Sequence, residues 1–196
     1  MNQIDFLNKN VFFSTRQYAM SLQIPMATAS RQLKKISTQK TIEMVSRGIW
    51  AQVQHPFYSV YGATPYILGN EQGYISFLTA LHRHDVISQI PSVIQIATTG
   101  HGRSLSSAIA DFELLHIQPG LMQSGIEVHA GKLVYNMATA EKALFDTLYI
   151  SSRRGKRFSK FPELNWKAIN KKEFYKLIEE STPAVQKLIL PKFKNI

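Results

Sequence analysis

Residues 14–50 constrain the chain most, because they set two helical patterns a single short turn apart. In residues 25–36 the apolar side chains Ala29, Leu33 and Ile36 recur at helical spacing on one face. Thr28, Arg31 and Lys35 lie within roughly a third of a turn of one another on a different face. The spacing predicts a helix with a packed side and a basic side. Ahead of it, residues 14–22 open on Ser14 and Thr15, either of which suits an N-cap, and continue as a shorter amphipathic helix. Gln23, Ile24 and Pro25 separate the two, so the pair reads as helix-turn-helix. Beyond it, residues 41–45 and 49–53 have the composition of two short strands. Ser46, Arg47 and Gly48 form the turn between them, where Gly48 can supply the positive φ of a tight hairpin.

Helix, turn, helix and β-wing is the order of a winged-helix DNA reader. Such a protein sets the start of its second helix against base edges in the major groove, which makes Thr28 and Arg31 the base-contact candidates. Arg31 has the fork needed to take guanine O6 and N7 together. Lys34, Lys35 and the wing residue Arg47 then fall near phosphates, as do Thr15 and Arg16 at the start of the first helix; such contacts position a protein without reading sequence. Winged helices also dock proteins, and paired lysines also occur on solvated faces, so a protein-interaction module stays open at this point.

The charge distribution bears on the partner. The 196-residue chain has a net charge of +10, which suits a polyanion, and its 44% hydrophobic content is that of a folded protein. Residues 1–54 hold seven basic and two acidic side chains, residues 55–150 four and seven, and residues 151–196 twelve and four. Two basic ends flank an acidic middle. We read residues 1–54 as a DNA-binding domain, with Ile4 and Leu7 on a short opening helix that covers the helix-turn-helix. Residues 54–57 serve as a linker because Pro56 biases its neighbour away from helix. Residues 55–196 form the second domain. In its tail, Arg153, Arg154, Lys156 and Arg157 are either a second phosphate patch or an exposed basic loop.

The chain has no cysteine, which excludes disulfides and thiolate metal sites. No apolar run reaches the roughly 18 residues of a membrane span, and the N-terminus lacks the basic region and long apolar stretch of a signal peptide. A cytoplasmic protein with no membrane partner is expected.

The second domain reads as mixed. Apolar positions at Phe77, Leu78 and Leu81 predict a helix from near Tyr74 to before Pro91. Residues 93–97 and 112–117 read as strands, joined through the Gly-rich turn 99–103. Residues 126–129 and 132–135 read as a hairpin around Ala130 and Gly131. Thr139 is placed to cap a helix running to Tyr149, with Glu141 near its positive end. Two amphipathic helices follow, at 171–180 and 183–190, the second stopped by Pro191. The fold class is therefore α+β, an N-terminal winged helix-turn-helix followed by a mixed α/β domain with a helical C-terminus.

Enzyme signatures are weak. His82 and His84, two apart on a helix, point roughly 200° from each other and cannot share a metal from that helix. No Gly-x-Ser-x-Gly elbow occurs. Residues 97–104 end like a phosphate loop, yet Ala97 stands where its first Gly belongs and Arg103 where its Lys does. No Asp or Glu has a Lys two residues later, the spacing many metal-dependent nucleases use. Glu127, Glu141 and Asp146 remain a conceivable metal trio, although a cap and surface acids explain them more simply. We assign no catalytic residue, no metal and no cofactor.

Two further stretches carry a resemblance. Gly73-Tyr-Ile-Ser-Phe-Leu-Thr-Ala-Leu-His82 and Ala138-Thr-Ala-Glu-Lys-Ala-Leu-Phe-Asp146 resemble the AbiEi family of antitoxins from bacterial type IV toxin-antitoxin systems. Asp85 stands where that family often has Gly, and Ala140 where it usually has Pro. The resemblance implies an autorepressor whose winged helix binds double-stranded DNA at operator repeats in its own promoter. It also implies a second domain that antagonises a nucleotidyltransferase-like toxin encoded alongside, without requiring direct contact. Within the motifs, Tyr74, Phe77, Leu78, Leu81, Ala143, Leu144, Phe145 and Leu148 read as core-facing, and Ser76, His82 and Asp146 as polar members of a buried hydrogen-bond network. A nucleic-acid-processing enzyme with a winged-helix targeting domain, and a transcription regulator with no antitoxin role, are the alternatives.

Overall fold

Ser14 ends a strand and begins a helix, and the first part of the fold is arranged around that junction. In the computed structural model, which describes residues 1–153, 158 and 161–194, α1 (Gln3–Lys9) leads into β1 (Phe12–Ser14) and directly into α2 (Thr15–Leu22). The Ser14 hydroxyl accepts from the Gln17 backbone N–H at 3.0 Å, and the Gln17 side chain accepts from the Ser14 N–H at 2.7 Å. This reciprocal capping box satisfies two orphan donors at the helix start. Gln23 ends α2 in the left-handed region, φ 54°, and Pro25 precedes α3 (Met26–Ser37). Then come β2 (Ile42–Ser46) and β3 (Ile49–Gln52), with Gly48 at φ 78° in the turn, as the sequence predicts.

The described chain separates into two compact units. One comprises Met1–Gly69 with Ser106–Asp111 and Ala130–Tyr135; the other comprises Asn70–Leu105, Phe112–His129 and the described residues from Asn136 onward. In the first unit β1, β3 and β2 form an antiparallel sheet in that order. Its core joins Phe6, Phe13 and Tyr18 with Ala29, Leu33, Ile36, Ile42 and Trp50. The Phe6 ring meets Phe13 and Tyr18 edge-on at 5.0 and 5.2 Å, an arrangement that places the positive ring edge on the negative ring face. The unit runs past residue 54: His55 is buried, its Nε2 lies 3.0 Å from the Asn8 carbonyl, and a short helix α4 (Thr64–Leu68) follows.

The second unit is built on a mixed sheet. The strands of that sheet are β4 (Gly73–Ile75), β5 (Ile94–Thr98), β6 (Arg103–Ser106), β7 (Asp111–His116), β8 (Ile126–Ala130) and β9 (Val134–Ala138), in the order β6-β7-β5-β4-β9-β8, with Ser106, Asp111, Ala130, Val134 and Tyr135 counted in the first unit. β4 runs antiparallel to β5 and parallel to β9, and β5 runs parallel to β7. The helices are α5 (Phe77–Arg83), α6 (Ala140–Ser152), α7 (Lys171–Glu179) and α8 (Pro183–Lys194); α5, α7 and α8 each pack on α6. No helix among the described residues is long and apolar enough to cross a membrane.

The α+β class agrees with the sequence reading, and several details differ from it, among them the helix expected to run to before Pro91, which ends at Arg83. Ile4 is 67% exposed, and Phe6 takes its place beside Leu7 in the core. β1 was not foreseen, because three residues leave no room for an alternating pattern to register. Tyr74 lies on β4 rather than on a helix: Ser76 leaves the strand, and Phe77 turns the chain at φ 55° before α5 begins. Pro191 lies inside α8 instead of ending it. Since the Ser14 box closes α2 onto β1, Ser14→Ala should lower unfolding free energy by about 1 kcal/mol, read as a shift of the urea midpoint with unchanged slope.

Candidate functional site

The helix α3 divides as its spacing requires. Ala29 and Leu33 are fully buried and Ile36 is 8% exposed, while Arg31, Lys34 and Lys35 stand exposed and Thr28 is half-buried. Arg31 Nε reaches the Ala27 carbonyl one turn back at 3.4 Å. Among the described residues no acid pairs with Arg31, Lys34 or Lys35. Residues 14–40 contain no Asp or Glu at all, so both α2 and α3 present cations without local neutralisation.

Thr15 is placed differently from the surface role expected of it. Its side chain is buried, and its hydroxyl accepts from Trp50 Nε1 at 3.0 Å while donating to the Gly48 carbonyl at 3.3 Å. Its backbone N–H also bonds to Gly48 O, at 2.8 Å. The hydroxyl is thus spent inside the fold, tying the start of α2 to the turn between β2 and β3. Arg16 and Arg47 each adjoin one partner of the bonded pair in the chain, and both are exposed.

The basic tail divides at the described boundary. Arg153 ends α6, is exposed, and lies over the Tyr149 ring at 5.5 Å. Arg154, Lys156 and Arg157 lie outside the described residues.

In the second unit a different constellation forms from the two motifs of residues 73–82 and 138–146. Asp146 on α6 is 0% exposed and Lys142, one turn earlier, is 1% exposed; they pair at 2.5 Å. Tyr74 Oη and Ser76 Oγ both donate to Asp146 Oδ2, at 2.9 and 2.8 Å. The carboxylate therefore takes three donors, one an ammonium. The Lys142 ammonium also lies 4.9 Å from the Phe145 ring centre and 5.6 Å from that of Tyr74, a favourable setting for a buried cation. Burial, then the Asp146 charge and the bond to it, push the Tyr74 phenol well above its ordinary 10.0. Gly125 approaches so closely, at φ 70°, that a Cβ there would stand 2.7 Å from Lys142 Cβ.

Sequence reading expected Ser76 and Asp146 in one network and missed Lys142 and Tyr74. The signal for Lys142 was its position four residues before an acid on a helix, obscured because lysine is seldom buried. His82 stands apart from the network, its Nδ1 3.3 Å from Ile87 O, and His84 Nε2 lies 2.8 Å from Ala138 O. Glu141 and Asp146 are not drawn into one site: Glu141 Oε1 accepts from the Asn170 N–H at 2.8 Å, as Asp146 faces Lys142. Among the described residues, no cluster of three or more His, Asp or Glu side chains is placed to hold a metal. The Gly-rich turn carries an ion pair, Arg103 to Glu71 at 2.8 Å.

No protein-family model matches this chain, and neither does any curated protein.

Removing one partner of a buried pair leaves the other uncompensated, so Asp146→Ala should cost about 3–5 kcal/mol. A Lys142→Met, Asp146→Leu double variant should recover much of that loss in the same urea titration. Tyr74→Phe should cost about 1.5–3 kcal/mol at neutral pH, as expected for a bond to a charged group. Because the phenol's pKa is higher in the fold than in the unfolded chain, its contribution is full below about pH 10 and falls away as pH climbs toward the folded value. The stability gap between wild type and Tyr74→Phe should therefore narrow above about pH 10.

Proposed function

We propose that the chain is a DNA-binding transcriptional autorepressor of the AbiEi kind and the antitoxin of a type IV toxin-antitoxin system. In this reading residues 12–52 are a winged helix, with α3 as the recognition helix and the turn between β2 and β3 as the tip of the wing. The observation that carries it is the exposed stripe of Arg31, Lys34 and Lys35 on a helix whose opposite face is buried, because a groove-reading helix must be held firmly while offering cations outward. Arg31 and Thr28 are assigned to base edges. Lys34, Lys35, Arg16 and Arg47 are assigned to phosphates, with Arg153, Arg154, Lys156 and Arg157 as a second grip. Thr15 acts through the fold by tying the start of α2 to the turn that carries Arg47.

What supports the antitoxin half is that two polar side chains of each motif bond in one network: Tyr74 and Ser76 from the first, Lys142 and Asp146 from the second. The two motifs then describe one folded element, which fits a scaffold better than a reaction centre, since none of the four side chains is more than 2% exposed. The partners in this reading are operator repeats in double-stranded DNA and a nucleotidyltransferase-like toxin encoded beside it, opposed without a required complex, in the cytoplasm.

A gel shift on the DNA upstream of its own gene tests the reading. Arg31→Ala should weaken specific binding by about 1–3 kcal/mol and relax preference at one base pair. Lys35→Ala should weaken all sequences alike and reduce the slope of log affinity against log salt by about one. Unchanged binding in both variants would remove α3 as the recognition helix.

A further inference from the structure

A cleft of about 800 Å³ lies wholly within the first unit, no residue of α3 lines it, and its lining is chemically selective. Its volume is in the range of small-molecule sites. Three aromatic rings line it: Tyr66, stacked on Phe12 at 5.6 Å, and Phe57, which is 49% exposed. Carboxamides line the cleft at Asn8 and Gln52. Among the described residues the Asn8 amide makes no hydrogen bond, and Gln52 uses only its Oε1, which accepts from the Gln54 N–H at 2.7 Å. The charged lining residues are Lys9 and Lys132, both exposed, and no acid lines the cleft. Lys132 Nζ sits 4.7 Å from the centre of the Phe57 ring, so cation and aromatic surface are presented together.

The position of Phe57 is fixed rather than incidental. Its backbone N–H donates to His55 Nδ1 at 3.2 Å, which leaves His55 Nε2 to carry the proton it gives to the Asn8 carbonyl. The buried imidazole thus ties the segment bearing Phe57 to the end of α1, the segment bearing Asn8 and Lys9.

We propose that this cleft binds a nucleoside phosphate. A planar base suits aromatic rings, and its edge carries donors and acceptors side by side, as a carboxamide does. The phosphate suits two lysines with no acid near them. A metal cation finds no carboxylate here, and a purely apolar ligand would leave the amides and ammonium groups unmatched. The ligand is either a free nucleotide or an unpaired nucleotide within a strand, since both offer the same base and phosphate. The site is separate from the α3 stripe and does not depend on the DNA reading.

The test is equilibrium binding of AMP and ATP to the full-length protein, with adenosine, ribose 5-phosphate and inorganic phosphate as controls, and a short single-stranded oligonucleotide as the second arm. AMP or ATP should bind below about millimolar concentration, and neither ribose 5-phosphate nor phosphate should displace it. Phe57→Ala and Lys132→Ala change exposed side chains, and each should weaken binding by about tenfold while leaving the melting temperature within a few degrees. Arg31→Ala should leave nucleotide binding unchanged even where it abolishes the gel shift. Tighter binding of the oligonucleotide, lost in Phe57→Ala, assigns the ligand to a strand; its absence assigns it to free nucleotide. Overturning results are saturation by phosphate or ribose 5-phosphate alone, binding insensitive to Phe57→Ala, loss of binding in Arg31→Ala, or no binding of nucleotide or oligonucleotide.

Discussion

A carboxylate with no solvent exposure dictates what must surround it. Moving Asp146 from water into the packed interior costs several kcal/mol, recovered only if its oxygens meet donors of good geometry. Lys142 supplies a charge from the same helix, and Tyr74 and Ser76 supply hydroxyls from β4 and the residue after it. Those bonds fix α6 against β4 in one register, since a one-residue slip would turn Tyr74 and Ser76 to the opposite face. β4 sits between β5 and β9 in the sheet, so the setting of α6 is passed to strands on both sides. Gly125 completes the enclosure by coming so near Lys142 that no side chain fits.

The first unit solves a different problem, holding a short helix still without burying its polar face. Three apolar residues of α3 enter a core closed by Phe6, Phe13, Tyr18 and Trp50. The Tyr18 hydroxyl lies 3.0 Å from Gln32 Oε1, so α2 holds α3 through a hydrogen bond as well as by packing. Trp50 then bonds Thr15, and Thr15 bonds Gly48. A chain of contacts therefore runs from the underside of α3, through the sheet, to the turn that carries Arg47. A change at Thr15 would disturb the presentation of Arg16 and Arg47 without touching either.

How much of this was legible in the residues depended on length and repetition. α3 was readable because twelve residues give the 3.6 period three turns to show itself, and α6 because Thr139 marks its start. β4 was not, because Gly73, Tyr74 and Ile75 are followed at once by helix-compatible residues, and a three-residue strand has no period of its own. The left-handed Phe77 hid the change, as a bulky residue seldom adopts that conformation. At the candidate interface, Arg31, Lys34 and Lys35 could be placed from spacing alone. Thr15 could not, since a threonine at a helix start gives no sign of whether its hydroxyl faces water or a tryptophan 35 residues away. The pairing of Lys142 with Asp146 was written at i, i+4, yet that spacing is common on exposed helices, and only the packing around α6 makes it interior.

The start of α3 lacks the cap that most of the longer helices carry. α1, α2, α6 and α7 each begin with a side chain that accepts a backbone N–H, namely Asn2, Ser14, Thr139 and Asn170, whereas the short helices α4 and α5 have no side-chain cap. α3 begins at Pro25, which has no such group, and no acid lies in its first turn. The backbone N–H groups of Met26, Ala27 and Thr28 are thus left at the positive end of a twelve-residue helix with no side-chain acceptor. An uncapped, acid-free helix start sacrifices about 1 kcal/mol that a serine at residue 25 would have restored. On the DNA-binding reading proposed above, a phosphate oxygen would take that vacancy, one turn from Arg31. Capping and anion binding draw on one set of donors, and in α3 no side chain claims them.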